Sequence, residues 1–150
     1  MNNLEHETRG FMNNRNSDAA ILRDIQPQVI RQRLIIEGTT NQLVDIELIH
    51  TYLISLSENL SMHIKDGPVT YSAEELPVEG TWSSPHMGYA GWLYWVSSGV
   101  HFHSYPTAPP IFSVDAYTCK PIDVEAAVEF TRSFFNPMDL VWLEIMPGNP

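Results

Sequence analysis

The sequence predicts an α+β domain: a mostly antiparallel β-sheet with two helices packed on one face. Three observations carry this. Two segments repeat their apolar residues at spacings of three and four, the period of an amphipathic helix. Five or six others are short runs rich in β-branched and aromatic residues, several alternating strictly in polarity. The last strand-like runs before the second helix are joined by only a few turn residues, which suits hairpins and not the long crossovers of parallel sheets.

The elements follow in order. Residues 1–28 read as a polar, flexible tail, although SDAAILRDI within it fits a short helix capped by Ser17 or Asp18. A single domain then spans 29–150. VIRQRLIIEG, 29–38, ends in a β-branched run and reads as a strand, and TTNQ as a turn. In DIELIHTYLISLSENL, Ile46, Ile49, Leu53, Leu56 and Leu60 form one helical stripe, with Asp45 as N-cap. MHIKDGPVTYS predicts a strand ending in a turn at Asp66-Gly67-Pro68, and AEELPVEGTWSSPHMG predicts a loop over the sheet. AGWLYWVS is apolar on both faces and so predicts a central strand. GVHFHSY and PIFSVDAYTC alternate: Val100, Phe102, Phe112, Val114 and Ala116 face one way, and His101, His103, Tyr105, Ser113, Asp115, Tyr117 and Cys119 the other. PIDVEAAVEFTRSFF predicts the second helix, with Pro121 near its first turn, an apolar stripe of Val124, Ala127, Val128 and Phe135, and a stop at Asn136-Pro137. DLVWLEIMP predicts a last strand.

Eight basic residues stand against 18 acidic ones, a formal charge of −10. From residue 51 onward the count is 3 against 11. Such a field repels nucleic acid and anionic membranes and favours cationic small molecules. No window approaches the ~20 apolar residues of a membrane span, and the polar N-terminus is unlike a secretory signal, so a cytoplasmic protein is expected. The single cysteine, Cys119, excludes an internal disulfide.

Two helices cover only one sheet face. The other, polar and aromatic together, predicts a second subunit packed near it, a homodimer. His101 and His103 at i and i+2 supply two metal ligands where Zn²⁺ wants three or four, and no CxxC or helical i, i+4 pair completes them, so no metal site is expected. Ser98, His103 and Cys119, all within 22 residues and on strands expected to be neighbours, form a more coherent set. They have the residue types of nucleophilic and acid–base chemistry, and the alternation puts His103 and Cys119 on one sheet face, expected to lie within a few ångströms of Ser98.

The stretch GYAGWLYWVSSGVHFHSYP, followed by FSVDAYTC, resembles the bacterial-type S-adenosylmethionine decarboxylases, pyruvoyl-dependent enzymes that process themselves. Gly88 and Gly91 match the family's Gly-x-x-Gly, Ser98 its cleavage serine, and His103 its processing histidine. Pro106 and Asp115 also match, and Tyr117-Thr118-Cys119 matches Phe-Thr-Cys. Upstream, IIEGTTNQLVD resembles a first-strand motif that places Glu37 on an active-site glutamate. The likeness spans roughly 33–146. It implies cleavage between Ser97 and Ser98 into chains 1–97 and 98–150, and a pyruvoyl group derived from Ser98 that acts as electron sink for decarboxylation. It further implies that His103 serves processing, that Cys119 protonates the decarboxylated carbon, and that Glu37, with Asp115 and Trp82, holds S-adenosylmethionine. The sequence departs from the family in five places, one being His103-Ser104-Tyr105-Pro106-Thr107 where His-Thr-Trp-Pro-Glu is usual, which loses an acid. Ser97 stands where Glu is usual and Gly99 where His is usual. Ala90 replaces a serine that assists processing. A Phe that stacks on adenine falls near Ser84, leaving Trp82 as the nearest aromatic. The alternative readings are a paralogue acting on another amino acid, arginine- or ornithine-like, or acting differently on S-adenosylmethionine, and a non-processing regulatory partner.

Overall fold

The computed structural model describes residues 22–72 and 87–148. The elements are β1 (Gln32–Thr39), α1 (Ile46–Asn59), β2 (Ile64–Ser72), β3 (Tyr89–Trp95), β4 (Ser98–Tyr105), β5 (Ile111–Thr118), α2 (Val124–Phe135) and β6 (Asp139–Ile145). They form one six-stranded sheet in the order β2-β3-β4-β5-β1-β6. Every ladder is antiparallel. The expected α+β class and element order are both present.

Each helix starts where its cap sits. The Asp45 carboxylate accepts from the Leu48 N–H at 2.9 Å, and that of Asp123 accepts from the Ala126 N–H at 3.0 Å. A side-chain cap of this kind is worth about 1 kcal/mol. Asp123 is therefore the start of α2, and Pro121, expected in its first turn, lies two residues before the cap. Asn136 ends α2 in the left-handed region at φ 44°, a conformation that Asn tolerates better than most residues.

The core lies between the helices and one sheet face. Leu34, Ile36, Leu93, Val100, Phe102, Phe112 and Val114 point into it from the strands, and Ile49, Tyr52, Leu53 and Leu56 from α1. The Tyr52 ring meets Phe102, Phe134 and Phe135 with centroids 4.8–5.4 Å apart, the range aromatic pairs prefer. Its hydroxyl is satisfied by Thr131 at 2.8 Å, yet full burial still pushes its pKa far above the ordinary tyrosine value. Trp95 donates its indole N–H to Ser57 Oγ at 2.7 Å. Among the described residues no buried side-chain N or O lacks a partner. Gly91 sits where β3 passes under α1: a Cβ there would lie 2.6 Å from Ile49 Cγ2 and 3.2 Å from Leu53 Cδ1.

One expectation is corrected. Asp66-Gly67-Pro68 does not end a strand. β2 runs through it, with register shifts between Ile64 and Val69. Gly67 takes φ 89°, and Pro68, which has no N–H, is tolerated because β2 is an edge strand. AGWLYWVS is the interior strand expected, with Tyr94 53% exposed on the side away from the helices. Residues 22–28, read as part of the tail, make contacts. The Asp24 N–H donates to the Gly148 carbonyl, and Asp24 pairs with Arg31. Residues 22–25 are not helical; the rest of that possible helix, and the loop at 73–86, lie outside the described residues. No helix among the described residues is long and apolar enough to cross a membrane.

Candidate active site

β3 and β4 are joined by a two-residue turn, Val96-Ser97, with Trp95 paired to Ser98. Such turns ordinarily need positive φ at the turn residues; neither Val96 nor Ser97 has it. Ser98 instead absorbs the change at φ 157°, close to fully extended. Gly99 lets β4 close on β3 immediately afterwards, since a Cβ there would meet the Leu93 carbonyl oxygen at 2.8 Å. On the other side of β4, Ser98 pairs with Thr118, so the residue that follows, Cys119, arrives beside the turn.

What results is a closely connected group. The Ser97 carbonyl oxygen accepts two hydrogen bonds from one residue, from the Cys119 N–H at 3.1 Å and from its thiol at 2.9 Å. Ser98 Oγ lies 3.4 Å from Cys119 Sγ and also accepts from the Cys119 N–H at 3.3 Å. A hydroxyl, a thiol and a carbonyl held by two donors thus converge on the Ser97–Ser98 peptide. That is the arrangement for attack on a carbonyl whose oxygen gains charge, since donors aimed at that oxygen stabilise it. Ser97 Oγ turns away, toward Met62 Sδ at 3.9 Å. The group opens into a groove of about 450 Å³ lined by Lys65, Asp66, Tyr94, Trp95, Val96, Ser97, Ser98 and Cys119. Lys65 and Asp66 were not among the candidate site residues of the sequence. They reach the groove because the β2 irregularity lies beside the β3–β4 turn, which no local pattern signals.

The remaining candidates lie elsewhere on the open face. His103 shares that face with Cys119, as the alternation implies, but it stands five residues along β4 from Ser98. At a strand rise of about 3.3 Å per residue that is about 16 Å. The expected approach of His103 to Ser98 does not occur within one chain. His103 is flanked across the ladders by Ala90 and Ser113, with Glu37 in the next strand of the same row. Partial burial, followed by the nearby His101, lowers the His103 pKa; Asp115 pulls the other way. Asp115 pairs with His101. Glu37 also borders two hollows at the β1–β6 edge, the larger about 350 Å³ and lined by Ile35, Glu37, Val141, Trp142 and Leu143. Trp82 lies outside the described residues. Among those described, no three His, Cys, Asp or Glu side chains gather as metal ligands would.

Among solved structures, the crystal structure of the adenosylmethionine decarboxylase from Aquifex aeolicus is similar, with a TM-score of 0.61 at 17% identity, covering 80% of this chain and 92% of that one. The chain has the adenosylmethionine decarboxylase fold. No family model matches the sequence, and no curated protein does. Within this fold Ser98 and Cys119 stand together at the β3–β4 turn, while Glu37, His103 and Asp115 stand together on the middle of the open face.

Proposed function

We propose that the chain is a self-cleaving, pyruvoyl-dependent decarboxylase acting on S-adenosylmethionine, and that it forms a homodimer through its open sheet face. The observation that carries this reading is the Ser97 carbonyl gripped by both donors of Cys119, with Ser98 Oγ alongside.

In this reading Ser98 Oγ attacks the Ser97 carbonyl carbon. Its proton passes to Cys119 Sγ as the thiol proton moves to the carbonyl oxygen, so no isolated charge forms. The tetrahedral centre collapses by breaking the C–N bond. The proton returns by the same relay to the departing nitrogen, leaving an ester between Ser97 and the Ser98 oxygen. Loss of the Ser98 α-proton expels the Ser97 carboxylate. The dehydroalanine left behind takes up water and releases ammonia, which gives chain 98–150 a pyruvoyl N-terminus. The base is the partner subunit's His103, brought across the open face, because within one chain His103 is displaced along β4 from Ser98.

The pyruvoyl ketone supplies the electron sink for CO₂ loss from an amino acid bound through its amine. Cys119, set beside position 98, returns a proton to the carbon that lost CO₂. Glu37 and Asp115 give the open face carboxylates for a cationic substrate, in keeping with the formal charge of −10.

Intact-mass spectrometry of the purified protein tests the reading. The expected result is two chains, 1–97 and 98–150, the second with a blocked N-terminus. A single uncut chain overturns it and leaves the regulatory-partner alternative. Light scattering at micromolar concentration is expected to report a dimer, and Leu143→Arg, on the open face, a monomer.

A further inference from the structure

The open face holds one side chain that the proposed chemistry does not use, Ser113, opposite His103. His103 lies on β4, between β3 and β5. On its own face it therefore has two directly opposed neighbours, Ala90 and Ser113. Directly opposed side chains in a ladder have Cβ atoms about 4.5–5.5 Å apart, whereas diagonal ones stand about 7–8 Å away. Ala90 is nearly buried and offers only a methyl group. Along the strand, Tyr105 presents its ring to the imidazole, with centroids 6.1 Å apart and planes at 14°. Asp115 sits on the diagonal, opposite His101. Ser113 is the directly opposed neighbour that carries a hydroxyl.

A neutral imidazole carries one N–H donor and one acceptor, and what bonds the first nitrogen decides which lone pair the second presents. We infer that Ser113 is the positioning residue of His103: its hydroxyl engages one ring nitrogen and leaves the other free as a base toward the open face. The inference rests on the self-cleaving reading. In the resembled family the assisting hydroxyl belongs to the position of Ala90, on the β3 side. In this chain the β3 side is bare and the β5 side carries the hydroxyl. The imidazole keeps a hydroxyl flank, moved from one neighbouring strand to the other.

The test uses full-length chains and two readouts. In a cleavage time course by intact mass, Ser113→Ala is expected to slow cutting about tenfold, the effect of one lost hydrogen bond. Ser113→Thr is expected to stay near wild type. The double variant Ala90→Ser, Ser113→Ala is expected to recover most of the rate, because it returns the hydroxyl to the other side of the same ring. Imidazole nitrogen NMR of the uncleavable Ser98→Ala chain reads the tautomer directly, whether or not cutting occurs. One tautomer is expected to dominate there, and a mixture to appear when Ser113→Ala is added. Wild-type cutting in Ser113→Ala, or an unchanged tautomer ratio, overturns the inference and leaves the cleavage reading intact. A wild-type chain that stays uncut overturns both.

Discussion

Cys119→Ala separates two contributions that one residue makes to the Ser97 carbonyl. The backbone N–H at 3.1 Å is retained, because the substitution leaves the main chain alone. The thiol at 2.9 Å is lost, and with it the group 3.4 Å from Ser98 Oγ that relays the proton in the proposed cut. Removing one well-aimed donor from an oxyanion site costs about 10²–10³ in rate. A thiol is a weak donor, and the N–H remains, so the effect falls at or below the lower end of that range: cutting slowed about 10- to 100-fold, or about 1.4–2.7 kcal/mol of barrier. Cutting should still reach completion. Decarboxylation, which has no second donor to fall back on, should drop by roughly 10²–10⁴ as expected for a lost general acid. Cys119→Ser, which keeps a hydrogen-bonding hydroxyl, should cut faster than the alanine variant. The assay is a time course of intact mass on freshly translated protein, followed by CO₂ release from the fully cut material. Cleavage of Cys119→Ala at the wild-type rate would refute the role of the thiol in cutting.

Three further outcomes follow from other parts of the molecule. Ser97→Ala should leave the cut between residues 97 and 98 and change its rate less than about threefold, because Ser97 Oγ faces Met62 and gives up at most one weak hydrogen bond; a cut moved to the Val96–Ser97 bond would contradict the geometry. The lowered pKa of His103, set by partial burial and His101 against Asp115, means that the unfolded chain binds a proton more readily than the folded one. Stability should therefore fall as pH drops below the ordinary histidine value of about 6.5, and His103→Gln should flatten that fall in urea denaturation at about pH 7.5 and about pH 5.5. A variant as acid-sensitive as wild type would show that other groups set the slope. Gly91→Ala drives a methyl into Ile49 and should cost about 1–3 kcal/mol, visible as a Tm lower by several degrees; an unchanged Tm would mean that α1 does not pack on β3 this closely.

The sequence carried the periods of the elements and little of their placement. Alternation in β4 and β5 assigned faces correctly: Val100, Phe102, Phe112 and Val114 are buried, and His101, His103, Asp115 and Cys119 lie on the other side. Alternation reports a face and says nothing of distance along a strand, so it set His103 beside Ser98 when the two are five residues apart. Ser98 and Cys119 meet for a different reason, the register of β4 on β5, which no run of residues displays. Asp66-Gly67-Pro68 has the composition of a turn; pairing of Val69–Ser72 with β3 overrides it and makes an irregular edge. AGWLYWV is interior, as its apolar faces implied, but its composition could not say that Tyr94 would stay exposed, since an aromatic-rich open face has the same composition as a covered one. Nor does any local pattern say that β1 is inserted between β5 and β6.

That insertion has a topological consequence. Divide the chain at the β3–β4 turn. The first piece contributes β1, β2 and β3 to the sheet, and the second β4, β5 and β6. In the order β2-β3-β4-β5-β1-β6 the two pieces are interleaved: β1 of the first is clasped on both edges by strands of the second. Three of the five ladders, β3–β4, β5–β1 and β1–β6, join one piece to the other. A broken backbone at residue 97 therefore releases nothing. The halves could part only if β1 were drawn out of the middle of the sheet, which is unfolding under another name. A chain built this way has to fold whole before it is divided, and once divided it stays knit together.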